Sequence, residues 1–137
     1  ELFANHGGLR VYDDFAHHPT AIQSTLQGLR NSVGNERILA VVEPGTHTMS
    51  LGTLRDALTR CCAPANEAIW FRGKNILWDL GEVVQNSVVP ASLEDNIDRL
   101  VDHITQIDQL PCHVVIMSNG SFGGIYEKLL AKIELAE

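Results

Sequence analysis

The sequence is poor in cysteine, in basic residues and in long apolar runs, and each shortage excludes a class of protein. Three cysteines, with Cys61 and Cys62 adjacent, do not make the paired framework of a small secreted domain. Ten Lys and Arg against 17 Asp and Glu leave a net charge of −7, without a basic cluster for nucleic acid or an anionic membrane. No apolar run approaches the roughly 20 residues that span a bilayer, and no signal peptide is recognisable. We therefore expect a soluble cytoplasmic protein that binds neither nucleic acid nor membrane.

Two catalytic motifs are absent as well. The chain has no G-x-x-x-x-G-K-[ST] phosphate loop, since Gly73-Lys74 is followed by Asn75, and no G-x-S-x-G nucleophile elbow. Its 137 residues, of which 45% are hydrophobic, suit one domain with a buried core. The first residue is Glu1 rather than Met, which favours a processed chain or part of a longer one. We expect a single domain over residues 1–137 without a phosphate loop of its own.

Strand and helix patterns alternate along the chain. Short apolar segments predict strands over residues 9–12, 37–43, 67–71 and 113–117. Apolar stripes at helical spacing predict helices over residues 19–33, 53–62, 97–107 and from 125 onward. This alternation predicts an α/β fold in three layers, with a predominantly parallel sheet and helices on both faces.

The region between residues 74 and 96 is less regular. Residues 74–91 carry paired apolar residues separated by polar ones, which we interpret as a short strand and loops. Ser92 followed by Asp95 resembles a capping box, and it precedes the helical face that runs from Ile97 to Ile107. Pro111 closes that helix before the following strand.

Three loops follow predicted strands at their carboxyl ends, over residues 13–20, 43–52 and 118–124. All three are rich in polar residues and glycine. Because ligands of parallel α/β sheets bind beyond the carboxyl ends of the strands, we expect the site to be built from these loops.

The first loop holds the densest cluster of ionisable side chains, Asp13, Asp14, His17 and His18. Carboxylates at a strand end suit hydrogen bonds to a ribose diol, and histidines near a helix N-terminus can approach phosphate oxygens or transfer protons. A metal site is not favoured, because adjacent histidine side chains are expected to diverge and no third and fourth ligands stand at suitable spacing. The alternative is structural, with these side chains capping the local backbone and the following helix.

The other two loops give weaker signals. Gly120, Gly123 and Gly124 lie between a strand and a helix, where they permit positive φ and the approach of an anion to backbone amides. Their spacing is not that of a dinucleotide fingerprint. Residues 43–49 place hydroxyls and His47 after a buried strand, and an ordinary solvated turn explains them almost as well. Neither loop by itself identifies a ligand.

Three motifs, in order along the chain, resemble those of the Mur ligases. Residues 11–22, Val-Tyr-Asp-Asp-Phe-Ala-His-His-Pro-Thr-Ala-Ile, resemble the signature that opens the C-terminal domain of that family. Residues 117–125 resemble the glycine loop of one branch, which joins a murein tripeptide to UDP-N-acetylmuramate. Glu43-Pro44 and residues 48–52 resemble the middle motif of the branch. The likeness covers nearly the entire chain.

The resemblance implies an ATP-dependent ligase that forms an amide bond in peptidoglycan recycling, and a Rossmann-like fold for this C-terminal domain. Two further domains would bind the UDP-sugar and hold ATP and Mg²⁺, and this domain would close over the central ATPase domain. The domain alone would hold no catalytic residue and no metal ligand, and would be inactive. By motif position Asp14 and His17 would contact ATP, and the substrate-binding residues would be His18, Thr46, His47, Ser118, Asn119 and Gly120.

One departure from the branch pattern and one alternative function stay open. The branch usually has Arg after Glu-Pro, whereas this chain has Gly45, so a bidentate grip on a carboxylate or phosphate is lost unless His47 replaces part of it. The alternative to a ligase domain is a free-standing, non-catalytic α/β module that binds nucleotides or anions. Such a module predicts micromolar nucleotide binding by the chain alone, whereas an accessory domain predicts none.

Overall fold

The computed structural model describes residues 1–44, 52–73, 80–118, 120 and 122–136, with the backbone alone at 52, 53, 135 and 136. Within them the strands are β1 (Leu2–His6), β2 (Leu9–Asp14), β3 (Arg37–Val42), β4 (Glu67–Phe71), β5 (Ala91–Glu94) and β6 (Cys112–Met117). The helices are α1 (Pro19–Val33), α2 (Gly52–Arg60), α3 (Leu80–Gln85), α4 (Ile97–Thr105) and α5 (Ile125–Ala136), with a 3₁₀ turn at Phe122–Gly124. None of the described helices combines enough length with enough apolar character for a bilayer crossing.

The six strands form one sheet in the order β1-β2-β6-β3-β4-β5. The five strands from β2 to β5 in that order run parallel, and β1 pairs antiparallel with β2 at one edge. The predicted, predominantly parallel sheet is therefore confirmed. The hairpin that adds β1 was not predicted, although Gly7 and Gly8 join its strands with positive φ angles of 57° and 90°. Consecutive positive φ angles are those of a tight hairpin turn, which glycine adopts without steric cost.

Helices cover both faces of the sheet, as predicted for three layers. On one face α1, α2 and α3 pack against the strands through side chains such as Ile22 and Leu58. On the other face α4 and α5 pack through side chains such as Leu100 and Leu129. The central strands are buried on both faces, which explains the continuous apolar run Ile38-Leu39-Ala40-Val41-Val42 in β3. The three cysteines are buried free thiols, as their spacing suggested.

The irregular region differs from the prediction in two respects. A helix, α3, occupies residues 80–85, where a short strand and loops were expected. Ser92 lies inside β5 and caps no helix. The N-cap of α4 is Asn96, whose side chain accepts a hydrogen bond of 2.9 Å from the Arg99 amide. Pairing of β5 with β4 decides these assignments, because a contact distant in sequence overrides a local capping pattern.

Candidate functional site

Strand register brings the starts of the three predicted loops together at the carboxyl edge of the sheet. Met117, the last residue of β6, pairs with Asp14 on one side and with Val42 on the other. The Ser118 amide donates to the Asp14 carbonyl at 3.1 Å, and the Glu43 amide donates to the Met117 carbonyl at 2.9 Å. Neighbouring strands lie about 4.8 Å apart, so side chains that follow these three strand ends share one small surface.

Asp14 ends β2, and its carboxylate is oriented by a hydroxyl group from α1. Thr25 donates a hydrogen bond of 2.9 Å from Oγ1 to Asp14 Oδ2, in a partly buried position. A carboxylate has about four acceptor positions, and among the described residues this side-chain bond uses one of them. Asp14 is therefore held in place while most of its acceptor capacity stays available to a hydroxyl-bearing ligand such as a ribose.

His17 and His18 lie together at the start of α1. Their ring centroids are 4.7 Å apart, so the expectation that the two rings diverge is wrong. His18 occupies the N-cap of α1 without a side-chain capping bond, so the capping role considered for it is wrong as well. His17 Nδ1 lies 2.9 Å from the carbonyl of Phe15, and because a carbonyl only accepts, Nδ1 carries the proton. Nε2 of a neutral His17 is then an acceptor, and it donates to a phosphate oxygen only when the ring is protonated.

Phe15, between the aspartates and the histidines, is 77% exposed. It was not singled out from the sequence, and its place in the first loop adds an apolar contact surface to the edge.

Ser118 was predicted to contact substrate, but its hydroxyl is engaged inside the protein. The Ser118 side chain is buried, its Oγ donates to Glu43 Oε1 at 2.6 Å, and it accepts from the Gly120 amide at 3.1 Å. This arrangement joins the second and third loops. Of the other predicted substrate-binding residues, Thr46, His47 and Asn119 lie outside the described residues, as does Gly45.

Glu43 and Tyr126 belong to this edge and were not among the predicted site residues. Burial, and after it the nearby carboxylates of Asp13, Glu43 and Asp14, together raise the pKa of Tyr126 to about 12. The hydroxyl therefore keeps its proton at neutral pH and offers a donor among acceptors. The signal for Tyr126 was available, because it lies in the first turn of the helix that follows the glycine loop.

The glycine loop is shaped by packing as much as by access for a ligand. Phe122, Gly123 and Gly124 have positive φ angles of 50°, 58° and 74°. A Cβ on Gly123 would lie 3.0 Å from Ile97 Cγ1, so α4 approaches the loop too closely for a side chain there. The Phe122 ring packs against Phe71 with centroids 5.0 Å apart. Gly123 is thus required by the fold itself, whereas the space beside Gly124 is open.

Metal ions in proteins are held by groups of His, Cys, Asp and Glu side chains. The part of the chain that the structure describes has no group of three or more His, Cys, Asp or Glu side chains arranged to hold a metal ion. Among these residues the carboxylates of the carboxyl edge are acceptors for hydroxyl and amine donors.

Residues 1–120 match a family model described as Mur ligase, glutamate ligase domain. A relative from Escherichia coli, named UDP-N-acetylmuramate:L-alanyl-gamma-D-glutamyl-meso-2,6-diaminoheptandioate ligase, is 44% identical over 131 residues. The matched segment is 95% of this chain but 29% of that relative. The chain thus spans less than a third of the length of curated relatives that it matches at 43% and 44% identity.

Two solved structures are similar to the chain over nearly its full extent. A murein peptide ligase from Psychrobacter arcticus has a TM-score of 0.87 at 33% identity, over 97% of this chain and 29% of that one. A domain named as part of a UDP-N-acetylmuramate:L-alanyl-gamma-D-glutamyl-meso-diaminopimelate ligase, from Haemophilus ducreyi, has a TM-score of 0.76 at 41% identity. The match covers 97% of this chain and 98% of that domain, so a domain of this extent folds without the rest of a ligase.

Proposed function

The chain belongs to the Mur ligase family, and from this we propose that it is the C-terminal domain of a three-domain, ATP-dependent ligase. The ligase would join L-alanyl-γ-D-glutamyl-meso-diaminopimelate to UDP-N-acetylmuramate in the cytoplasm, in the recycling of peptidoglycan. The substrates are proposed from the names of relatives that are 43% and 44% identical to the chain. The central ATPase domain and the UDP-sugar domain would lie in the remaining two thirds of the complete protein.

The observation that carries this proposal is the convergence of three loops at one sheet edge. Asp14, Val42 and Met117 are in register, so the three family motifs emerge side by side. A domain that completes the active site of another needs its ligand-contacting groups on one surface, which can then close over the bound nucleotide and sugar. Closure would exclude water from an acyl phosphate that water would otherwise hydrolyse.

The residues of this chain would bind and orient, and the reacting phosphoryl group would come from elsewhere. ATP with Mg²⁺, held mainly by the central domain, would supply the phosphoryl group that activates the carboxylate of UDP-N-acetylmuramate. Asp14, oriented by Thr25, would accept hydrogen bonds from the ribose of ATP. His17, once protonated, would donate from Nε2 to a phosphate oxygen. The first loop would thereby bind the nucleotide.

The second and third loops would receive the tripeptide. His18, Thr46, His47, Asn119 and Gly120 are the proposed contacts, while Ser118 would act through the shape of its loop, since its hydroxyl is engaged with Glu43. The carboxylates at this edge would attract the ammonium group of the incoming peptide. Loss of a proton from that ammonium would leave the amine that attacks the acyl phosphate and releases inorganic phosphate.

The proposal is tested with the complete ligase that contains this chain. We expect Asp14→Ala to lower kcat/KM for ATP by roughly 100-fold, because an oriented acceptor for the ribose is lost. Asp108→Ala, which removes an exposed carboxylate near the opposite edge, is the matched control and should keep kcat/KM. Unchanged ATP kinetics in Asp14→Ala would contradict the proposal.

The 137-residue chain alone separates a ligase domain from a free-standing module. We expect neither ATP hydrolysis nor tripeptide ligation, and no heat on titration with ATP and Mg²⁺. Micromolar binding without turnover would favour the non-catalytic module, and turnover by the chain alone would exclude the accessory role.

A further inference from the structure

Glu43, which directly follows β3, connects the second and third loops at the carboxyl edge. Its amide is bound to the Met117 carbonyl at 2.9 Å, which aligns the end of β3 with the end of β6. Its Oε1 accepts the hydrogen bond of 2.6 Å from Ser118 Oγ. Its Oε2 lies 3.4 Å from the position that a Cβ on Gly73 would occupy, in the segment that follows β4. The Glu43 carboxylate therefore contacts the segment after β6 and lies near the segment after β4.

Ser118 transmits this contact to the glycine loop. A hydroxyl has one proton, and because Glu43 is an acceptor that proton points to Oε1. A lone pair of the same oxygen then faces the Gly120 amide, which donates to it at 3.1 Å. The carboxylate thus sets the direction of the Ser118 hydroxyl, and the hydroxyl holds the backbone two residues further on.

We propose that Glu43 is a positioning residue, which acts through Ser118 to hold the glycine loop in the conformation that receives the amine substrate. This role rests on the proposed ligase function. It also reassigns Ser118, whose hydroxyl has its proton and a lone pair engaged within the protein and is buried from solvent. The substrate would meet the backbone of the loop rather than the serine side chain.

The chemistry of the contact separates a positioning role from a charge effect. In Glu43→Gln the amide oxygen still accepts a hydrogen bond from Ser118, but the negative charge is gone. In Glu43→Ala both are lost. A positioning residue therefore predicts that Glu43→Gln behaves much like the native protein, whereas a carboxylate that binds the substrate ammonium directly predicts equal damage in both variants.

The first arm of the test uses the 137-residue chain alone, since a related domain of the same extent folds by itself. Amide exchange of Gly120 is followed by NMR. We expect roughly tenfold faster exchange in Glu43→Ala and in Ser118→Ala, because the acceptor of the Gly120 amide is misdirected or removed. Glu43→Gln should restore most of the protection. Thr25→Val, which breaks the other hydroxyl to carboxylate contact of this edge, should leave Gly120 unchanged.

The second arm uses the complete ligase with the tripeptide as the varied substrate. We expect Glu43→Ala to raise KM for the tripeptide by about 10- to 100-fold with KM for ATP nearly constant, because only the amine-receiving loop moves. Ser118→Ala combined with Glu43→Ala should cost no more than the larger single effect, since both act through one contact. Glu134→Gln, an exposed carboxylate of α5, is the control.

Each result of these two experiments has a distinct consequence for the role of Glu43 and for the proposed function. The proposal is overturned if Gly120 exchange does not change in Glu43→Ala, or if Glu43→Gln raises KM for the tripeptide as much as Glu43→Ala does. If the complete ligase does not use the tripeptide, the proposed function is overturned, and with it the role of Glu43 in receiving the amine substrate. In that case the exchange data still decide whether Glu43 holds the loop, so the two failures are distinguishable.

Discussion

At the amino edge of the sheet, charged groups are paired with one another, whereas at the carboxyl edge carboxylates are held by hydroxyl groups. Arg37 and Glu67, the first residues of β3 and β4, form an ion pair at 2.5 Å. His113, fully buried in β6, lies 2.7 Å from Glu36 Oε1 through Nε2 and 2.8 Å from the Tyr12 hydroxyl through Nδ1. Because a carboxylate only accepts, Nε2 carries a proton, and in the neutral ring Nδ1 then accepts from the tyrosine.

The carboxyl edge is built differently. Asp14 is held by the Thr25 hydroxyl, and Glu43 by the Ser118 hydroxyl. Over the described ranges, no Lys or Arg forms an ion pair with either carboxylate. A hydroxyl orients a carboxylate without neutralising it, so Asp14 keeps its charge for a ligand while Glu43 directs Ser118, whereas at the amino edge Arg37 and Glu67 neutralise each other. We infer that the carboxyl edge serves recognition and the amino edge serves stability.

Replacement of the buried histidine should give the largest effect on the amino edge. His113→Ala removes a fully buried ring and leaves the Tyr12 hydroxyl without its acceptor. We expect a loss of about 3 kcal/mol in the free energy of unfolding, measured by urea denaturation of the chain. His103→Ala, at an exposed position of α4, should change it by less than about 0.5 kcal/mol. An equal loss in both variants would remove the distinction between the two sites.

Arg30 gives the next effect at the same edge. Its guanidinium donates four hydrogen bonds of 2.6 to 2.9 Å, to three backbone carbonyls and to the Asn66 amide oxygen, in the turns before β3 and β4. We expect Arg30→Ala to lower the free energy of unfolding by about 2 kcal/mol, since four acceptors, of which the Pro64 carbonyl is partly buried, lose their donor. Substrate KM values of the complete ligase should stay constant, and a large change in KM would show that this edge also affects recognition. Arg10→Ala, at an exposed position of β2, is the stability control.

The contact between Thr25 and Asp14 tests the carboxyl edge, where a substitution should affect ligand binding rather than stability. Thr25→Val keeps the shape of the side chain but removes the hydroxyl that orients the Asp14 carboxylate. We expect KM for ATP in the complete ligase to rise by about tenfold, because a correctly charged but misplaced acceptor binds the ribose poorly. Thr25→Ser retains the hydroxyl and should recover most of the affinity. If serine fails to do so, the methyl packing rather than the hydrogen bond is responsible.

The smallest effect is expected from Tyr126 and appears only at high pH. Its pKa is raised to about 12 in the folded protein from an ordinary value near 10, first by burial and then by the carboxylates of Asp13, Glu43 and Asp14. The folded state therefore holds the proton more tightly, so this contribution to stability is complete below pH 10 and is lost between about pH 10 and 12. After solvent screening we expect about 1 kcal/mol. Urea denaturation of the native chain and of Tyr126→Phe at pH 8 and pH 11.5 measures it, and parallel pH profiles would refute it.

Several parts of this fold could be predicted because their signals are local. The apolar stripe from Ile22 to Val33 predicted α1 with the bounds it has, and continuous apolar runs predicted β3, β4 and β6. Family membership was also correctly inferred from three short motifs, as the match over residues 1–120 confirms. By contrast, the capping box predicted at Ser92 was wrong, since Ser92 lies in β5 and the N-cap of α4 is Asn96. Pairing of β5 with β4 outweighs the local pattern.

The sequence predicted where the candidate site would lie in the fold, but it predicted only some of the contacts within the site. Polar loops after strands pointed to the carboxyl edge, and the register of Asp14, Met117 and Val42 agrees with that expectation. The contact of Ser118 with Glu43, which joins residues 75 positions apart, has no counterpart in sequence spacing. The position of Tyr126 after the glycine loop was visible in the sequence, but its proximity to carboxylates at the ends of other strands was not.

By itself the amino-acid sequence determined the alternation of helices and strands outside β1, α3 and β5, the apolar surfaces that drive them together, and the residue types available in each loop. Only the tertiary structure decided that β6 inserts between β2 and β3, and therefore that Ser118 meets both Asp14 and Glu43. The physical reason is that a helix or a strand is favoured by its own residues, whereas strand order depends on which distant partners bury the most apolar surface with their backbone groups paired.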